Sequence, residues 1–233
     1  KHSGFEKHYS YKGYQEGIYI PLTLKSLSRD ISNVPASKQT GIWNIGINGK
    51  MMKMSPNFME FLKNIEWPNN VSLHFFPAET GLNFFAAENS IKSYFPNATV
   101  YRVVEYEDFI SQMSILDFCI CPFPFGNTNG VLDCIYLGLP QFALRGSETC
   151  SSSETDFLEH IGAVDCIFDS QEDFKLAIEK FFDDENYRNR LVSGFKKKCE
   201  AFKKHNDLEK AQKYEAENFV NWIRESIQNY EQV

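Results

Sequence analysis

The sequence FCICPFPFGNTNGVLD, residues 118–133, decides the fold class of this 233-residue chain. It begins with an apolar run at 118–122 that predicts a short buried strand, and two prolines prevent that strand from continuing. Gly126 then allows a tight turn, and a polar cluster opens a helix predicted over 129–137. A strand, a turn and a helix in this order are typical of one unit of a parallel α/β sheet.

The same alternation continues on both sides of this unit. Short apolar runs predict strands, and helix-length segments lie between them, which is typical of βαβ units around a parallel sheet. The predicted strands lie at 42–47, 71–76, 99–104, 118–122, 141–144 and 164–168. The predicted helices lie at 55–65, 82–94, 106–116, 129–137 and 153–161. The fold class we expect is α/β, with a Rossmann-like parallel sheet flanked by helices.

The pattern divides the chain into three parts. Residues 1–40 are aromatic and polar without clear periodicity, which predicts an N-terminal segment or linker with one strand at 17–20. Residues 41–170 form the predicted Rossmann-like domain. Residues 171–233 carry no further strand pattern, so we expect a helical tail that packs on that domain or crosses back from it. Apolar residues of this tail recur at helical spacing, which predicts a face against the sheet: Phe174, Ile178, Phe181 and Phe182.

Composition limits the classes of partner. A hydrophobic fraction of 42% with 21 Phe supplies a core, and a net charge of −7 gives no overall field for nucleic acid or anionic lipid. No run approaches the ~20 apolar residues of a membrane span, and no signal-peptide stretch follows Lys1. The six cysteines and five histidines lack the spacing of a metal site. We expect a cytoplasmic protein with buried thiols, no metal, no nucleic acid and no membrane span.

The loop after the first predicted strand is one candidate site. In an open parallel sheet, ligands bind beyond the carboxyl ends of the strands, where helix N-termini attract anions. This loop carries Lys50 and Lys53 just before a helix capped by Ser55. A cation gains nothing from the positive end of a helix, so Lys53 indicates a negative group nearby. The alternative is that both lysines are solvated loop charges.

The polar cluster after the fourth predicted strand is the second candidate site. It consists of Gly126, Asn127, Thr128, Asn129 and Gly130. We predict that Thr128 and Asn129 donate hydrogen bonds to a diphosphate, and that Asp133, one helical turn later, accepts from ribose hydroxyls. The alternative is helix capping alone, because Asn, Thr and Asp all favour a first helical turn. The sequence contains no Walker loop, dinucleotide fingerprint or nucleophile elbow.

Both loops have counterparts in a known family. Residues 122–133, followed by Leu137-Gly138-Leu139-Pro140, resemble the nucleotide-sugar loop of the bacterial cytoplasmic protein N-glycosyltransferases that modify adhesins. Residues 51–56 resemble the phosphate-contacting lysine loop of the same family. The chain is more distantly similar to the O-GlcNAc transferases, which share that glycosyltransferase family. The resemblance covers about residues 42 to 162.

The resemblance implies a fold and a function. Residues 41–170 would be the nucleotide-sugar-binding domain, in the C-terminal half of a GT-B fold. The enzyme would be an inverting, metal-independent glycosyltransferase that transfers a hexose from a UDP-sugar to a protein acceptor, with no cofactor besides that donor. Lys53 would neutralise the diphosphate, Thr128 and Asn129 would bind phosphate oxygens, and Asp133 would hold the ribose. No catalytic residue is assigned.

The sequence departs from the family at two places. The family has histidines where this chain reads Tyr101-Arg102-Val103-Val104, and Arg102 is the candidate electrostatic replacement. It has another histidine where residues 146–153 are rich in serine, which would offer hydroxyls to a sugar or phosphate, or only cap a helix. A degenerate glycosyltransferase-like domain that acts as a binding module is therefore an alternative, and an unrelated nucleotide-binding α/β fold is another.

The length of the chain is too short for a complete GT-B enzyme. A GT-B enzyme needs two Rossmann-like halves that face a cleft, and 233 residues hold only one of them. We therefore expect a second half, supplied by the same longer chain or by a partner subunit. The start at Lys1, without Met, favours a piece of a longer chain.

Overall fold

The computed structural model describes residues 41–146 and 149–205, together with positions 220, 221 and 224. The predicted strand at 17–20 lies outside the described residues. Described residues 41–200 belong to one compact unit, and residues 201–205 fall in a second unit.

The compact unit is built on a six-stranded sheet in which every neighbouring pair of strands is parallel. The strands are β1 Trp43–Asn48, β2 Val71–Phe76, β3 Thr99–Val100, β4 Phe118–Ile120, β5 Gln141–Leu144 and β6 Ile167–Phe168. Their order is β3-β2-β1-β4-β5-β6. The chain therefore runs outward from β1 to β3 on one side and continues from β4 on the other, so the topology switches between β1 and β4.

Helices connect the strands and follow the last of them. They are α1 Pro56–Lys63, α2 Gly81–Tyr94, α3 Tyr106–Met113, α4 Thr128–Leu137, α5 Thr149–His160, α6 Gln171–Asp183 and α7 Glu185–His205. Two short 3-10 turns, Met51–Lys53 and Val164–Cys166, precede α1 and β6. The predicted alternation of strands and helices is confirmed, and with it the α/β fold class.

Helix ends follow the capping residues in the sequence. The Ser55 hydroxyl accepts a hydrogen bond from the backbone N–H of Phe58 at 3.2 Å, and Pro56 occupies the first position of α1. Gly138, at φ 67°, ends α4 in a left-handed conformation that glycine adopts without steric cost. Both helix boundaries were predicted from these residues.

Several predicted boundaries were wrong; α3, for example, ends at Met113 and not at residue 116. Strand β3 ends at Val100, well before residue 104, because Val103 and Val104 are exposed and have no core to pack against. Helix α5 starts at Thr149, four residues before the predicted start, because Ser151 and Ser152 are buried helix residues and not a cap. The first half of the predicted strand at 164–168 is a 3-10 turn.

Aromatic rings fill the core on the side of the sheet covered by α6. The ring of Phe181 lies 4.6 Å from that of Phe118 in β4, and the ring of Phe174 stacks on Phe168 at 5.2 Å. Both α6 phenylalanines are almost fully buried. Burying such a side chain contributes about 1.5–3 kcal/mol. The helix that follows residue 170 is therefore part of the core that supports the sheet.

Candidate functional site

The two candidate loops meet at the topological switch point. Ile47 of β1 pairs with Ile120 of β4, so the carboxyl ends of these two strands lie side by side. The loop after β1 contains Lys53, and the loop after β4 runs through residues 121–127 into α4. In open α/β sheets this crevice is the usual ligand-binding position.

A lysine joins the two loops. The Lys53 ammonium donates a hydrogen bond to the Gly126 carbonyl at 2.5 Å, across 73 positions of sequence. The Ser55 hydroxyl also donates to the Phe123 carbonyl at 3.2 Å. The predicted positive charge and the predicted polar cluster are thus in direct contact, and Lys53 is partly buried there.

Two glycines of the cluster are needed because other side chains approach their backbone closely. A Cβ atom on Gly126 would lie 1.6 Å from Oε1 of Glu154. A Cβ atom on Gly130 would lie 2.3 Å from Nδ2 of Asn127 and 2.8 Å from Nδ2 of Asn48. Neither position has room for a side chain without movement of its neighbours.

Asn127 holds the loop together. Its side-chain amide donates to the Asn48 carbonyl at 3.0 Å, and its backbone N–H lies 3.3 Å from the Cys121 sulfur. These bonds join the ends of β1 and β4. Asn127 occupies the N-cap position of α4 but makes no side-chain capping bond. Its amide group is therefore already committed to the strand ends.

The first turn of α4 carries the predicted phosphate donors. Asn129 is exposed, and the helix it opens is ten residues long. The Thr128 hydroxyl forms a 2.6 Å hydrogen bond with the Ser153 hydroxyl of α5. The first N–H groups of a helix have no partner within it, so those of α4 can bind an anion beside Lys53.

Asp133 is a buried carboxyl group one turn into α4. Its side chain is 8% exposed, and Oδ1 accepts a hydrogen bond from the Tyr106 hydroxyl at 2.8 Å. Burial raises the pKa of Asp133 to about 6, and the bond from Tyr106 opposes that rise. Near neutral pH this position carries a carboxylate able to accept hydrogen bonds from hydroxyl groups.

The sequence analysis missed Tyr106 and Glu154. Glu154 is 2% exposed and its pKa is raised, mainly by burial. The positions 154, 157, 158 and 161 share one helical face, and Phe157, Leu158 and Ile161 are buried there. A glutamate in that spacing was a readable signal of a buried carboxylate. Tyr106 offered no comparable signal, because its partner Asp133 lies 27 positions away.

The segment that departs from the family is turned toward α2. The Arg102 guanidinium lies 4.8 Å and 5.0 Å from the ring centroids of Phe84 and Phe85, and Arg102 is exposed. Its charge is engaged with aromatic rings at the third strand. The nearby His74 of β2 is buried, and its ring nitrogens form hydrogen bonds, Nδ1 with the Tyr101 hydroxyl at 2.9 Å and Nε2 with Oδ1 of Asn44 at 3.0 Å.

Two searches of the described residues gave negative results. No helix among them combines the length and apolar character required to span a membrane. In the same part of the chain, no three His, Cys, Asp or Glu side chains are grouped as they would be around a metal ion.

Comparison with known sequences supports the predicted resemblance. The chain is 34% identical over 123 residues to a protein named UDP-glucose:protein N-beta-glucosyltransferase from Actinobacillus pleuropneumoniae, in serotypes 5b and 7. The match covers 51% of this chain and 20% of the relative, so the chain spans about one fifth of the length of these curated relatives. No family model matches the sequence. The resemblance to protein N-glycosyltransferases is confirmed.

Solved structures share the fold at low sequence identity. An O-GlcNAc transferase mutant from Thermobaculum terrenum matches with a TM-score of 0.70 at 10% identity, over 88% of this chain and 40% of that one. Anabaena HepE in complex with UDP-glucose matches with a TM-score of 0.56 at 11% identity, over 78% and 49% of the two chains. These likenesses confirm the predicted fold class, a Rossmann-like sheet of the GT-B type.

Proposed function

We propose that this domain binds the UDP-sugar donor of an inverting, metal-independent glycosyltransferase that transfers a hexose to a protein acceptor. One observation carries the proposal. The Lys53 ammonium donates a hydrogen bond to the Gly126 carbonyl, just before α4 and at the topological switch point of the sheet. A lysine and a helix N-terminus in one crevice form a site for a diphosphate. The sequence relatives named as UDP-glucose-dependent support UDP-glucose as the donor.

Each residue has a distinct part in this proposal. Lys53 and the first N–H groups of α4, near Thr128 and Asn129, neutralise and bind the diphosphate. During transfer they also stabilise the negative charge that develops on the departing UDP, which is the task a divalent cation performs in other enzymes. Asp133 accepts hydrogen bonds from the ribose hydroxyls. Gly126, Asn127 and Gly130 hold the loop in the shape that brings these groups together.

The acceptor side of the reaction needs a second Rossmann-like half, in the same longer chain or in a partner subunit. Large apolar side chains are exposed along the ligand edge of the sheet: Met52, Leu82, Val103 and Phe125. Exposed apolar surface of this kind is typical of a contact with another protein surface. We further propose a cytoplasmic setting, in keeping with the buried thiols of Cys119, Cys121, Cys134 and Cys166, none of which forms a disulfide.

UDP binding tests the proposal directly. UDP at about 100 times its Kd adds about 2.7 kcal/mol to the free energy of unfolding, which we expect as a rise in melting temperature. UMP, which lacks the second phosphate, should give a smaller rise. Lys53→Met should remove most of the effect of UDP, whereas Lys50→Met, an equal charge change at an exposed lysine of the same loop, should retain it. EDTA should leave the rise unchanged.

Two results would contradict this function. If saturating UDP, UDP-glucose and UDP-GlcNAc all leave the melting temperature unchanged, the domain does not bind the donor. If Lys53→Met and Lys50→Met reduce the UDP-dependent rise in melting temperature equally, only the total positive charge of the loop matters for UDP binding. The alternative, a degenerate domain that binds but does not transfer, predicts an intact UDP effect and no glycosylated product when the second half is supplied.

A further inference from the structure

A buried carboxylate lies directly beneath the proposed donor site and has no part in the function described so far. Glu154 of α5 is 2% exposed, and its carboxylate lies against Cα of Gly126, where a Cβ atom would be 1.6 Å from Oε1. The carbonyl of the same Gly126 accepts the hydrogen bond from Lys53. A single glycine residue therefore separates the buried carboxylate from the lysine assigned to the diphosphate.

Glu154 is also connected to the other side of the site. The Ser153 hydroxyl donates to Oε2 of Glu154 at 3.2 Å and lies 2.6 Å from the Thr128 hydroxyl at the start of α4. A short chain of hydroxyl groups thus links the carboxylate to the helix N-terminus that would bind phosphate. Both parts of the proposed diphosphate cradle contact the surroundings of Glu154.

The charges around Glu154 include one that the donor would neutralise, that of Lys53. Burial is the largest cause that raises its pKa, and the negative charge of Asp156 on the same helix raises it further. The positive charge of Lys53 acts in the opposite direction. Cys121, at the end of β4, gives no compensation, because burial raises the pKa of its thiol and keeps it neutral. Hydrogen bonds from its own backbone N–H and from the Ser153 hydroxyl also favour ionised Glu154, and Lys53 is the positive charge among the groups that shift this pKa.

We propose that Glu154 is a positioning residue that binds a proton from solvent when the donor diphosphate takes Lys53 as its counter-charge. This inference rests on the proposed function. In the protein without ligand, the Lys53 charge supports the Glu154 carboxylate through Gly126. In the complex, that charge is neutralised by phosphate and a second negative group is added nearby, so the neutral form of Glu154 is favoured.

The proposal gives donor binding a characteristic pH dependence. Because the complex then holds Glu154 in its protonated form, affinity falls as the pH rises past the pKa of Glu154 in the protein without ligand. Asp133 acts in the opposite direction, since it must be ionised to accept ribose hydroxyls and its pKa is about 6. Ionisation of Asp133 should therefore give a rising limb through about pH 6, and ionisation of Glu154 should give a separate falling limb.

Calorimetric titration with UDP-glucose between about pH 5 and pH 8.5 tests this. UDP-glucose is the suitable probe because its diphosphate is esterified at both ends and stays fully ionised over this range. We expect wild type to take up protons on binding over the pH range in which its affinity falls, measured in buffers of different ionisation enthalpy. Glu154→Gln should lose both the uptake and the falling limb. Above that limb it should bind UDP-glucose about tenfold more tightly than wild type if the pKa of Glu154 differs by one unit between the free protein and the complex.

Two further variants separate charge from structure. Ser153→Ala removes a hydroxyl that favours ionised Glu154 but leaves the carboxylate, so it should retain the falling limb and move it to higher pH. Asp133→Asn should lose the rising limb only. An unchanged falling limb in Glu154→Gln, or the absence of proton uptake in wild type, would overturn the inference while UDP-glucose still binds. If wild type binds no UDP-glucose at any pH, the proposed function fails, and this inference with it.

Discussion

The carboxyl edge of the sheet has inner and outer loops that differ in how they are held. The inner loops follow β1 (residues 49–55) and β4 (121–127), and the bonds from Lys53 and Asn127 join them. The outer loops follow β2 (77–80) and β3 (101–105). Exposed apolar side chains occur at both kinds of loop, with Met52 and Phe125 in the inner loops and Val103 and Leu82 at the outer ones, so the side-chain bonds between loops are what set the inner loops apart.

The comparison of inner and outer loops indicates which part of the candidate site is held by contacts within this chain. The inner loops carry the residues that resemble the family, and buried contacts fix their shape. The outer loop after β3 is where the sequence departs from the family, and Arg102 is turned there toward the rings of α2. Side-chain hydrogen bonds join the inner loops to each other, whereas Val103 and Leu82 of the outer region are mostly exposed. Substitutions in the two regions should therefore have very different effects.

The largest expected effect comes from neutralising the buried carboxyl group of the inner site. Burial raises the pKa of Asp133 from 3.8 to about 6, so the folded state binds a proton more tightly than the unfolded state. The free energy of unfolding therefore falls as the pH rises from about 4 to 6 and stays low above that range. Asp133→Asn, which cannot ionise, should raise it at pH 7 by about 2–3 kcal/mol.

Urea unfolding at pH 7 and at pH 4 measures this prediction. The gain should nearly vanish at pH 4, and the variant should lose most of the stabilisation by UDP. Asp165→Asn is the matched control, because the Asp165 side chain is 71% exposed and its removal should change stability by less than about 0.5 kcal/mol. A variant no more stable than wild type at pH 7 would contradict the burial cost assigned to Asp133.

The next largest effect tests the close contact at Gly126. Gly126→Ala forces the buried Glu154 carboxylate to move and should lower the free energy of unfolding by about 2 kcal/mol. The same substitution at Gly194, where nothing lies within 4 Å inside α7, should raise it by about 0.5–1 kcal/mol. In a Glu154→Ala background the cost at Gly126 should shrink, as a double-mutant cycle would measure. A cost independent of Glu154 would refute the clash.

A smaller effect tests the bond between Tyr106 and Asp133. Tyr106→Phe removes the hydroxyl that donates to the carboxylate, so the pKa of Asp133 should rise above 6. The loss of stability should be about 1.5 kcal/mol at pH 7 and less at pH 4, where Asp133 is protonated. Tyr94→Phe, at a partly buried tyrosine of α2 that makes a cation–π contact with Lys63, is the control. Chemical denaturation of both variants at pH 7 and pH 4 measures these losses. If Tyr106→Phe loses the same stability at the two pH values, that would be evidence against this bond.

The smallest effect is expected in the outer region. Leu82→Ser combined with Val103→Ser should change the free energy of unfolding by less than about 0.5 kcal/mol, because both side chains are mostly exposed. UDP affinity should also stay unchanged. A loss above about 1 kcal/mol in thermal or urea unfolding would mean that this surface is covered in solution, and the contrast between inner and outer loops would then fail.

The fold was predictable because each strand has its own local signal. Short apolar runs such as 71–76 and 141–144 match the observed strands β2 and β5 residue for residue. The proximity of Lys53 and Gly126 also followed from the sequence, since parallel strands end at one edge of a sheet. Strand ends were less predictable, as Val103 and Val104 show, because apolar residues can also lie at an exposed surface.

The support of the site was not predictable in the same way. The bond from Tyr106 to Asp133 and the contact of Glu154 with Gly126 both join segments that are distant in sequence. Neither leaves a local composition signal strong enough to identify its partner. Asn127 shows the same limit: its residue type suits a phosphate donor, but its amide joins two strand ends.

The position of Phe123 has a practical consequence for any shortened version of the chain. This residue belongs to the inner loop after β4, and its ring packs edge-on to Phe58 and Phe61 and lies 6.3 Å from that of Phe174 in α6. Cutting the chain at residue 170 would leave every predicted ligand-binding residue in place. It would also remove Phe174, whose ring lies beside that of Phe123, so a recombinant fragment made to test UDP binding should extend past α6.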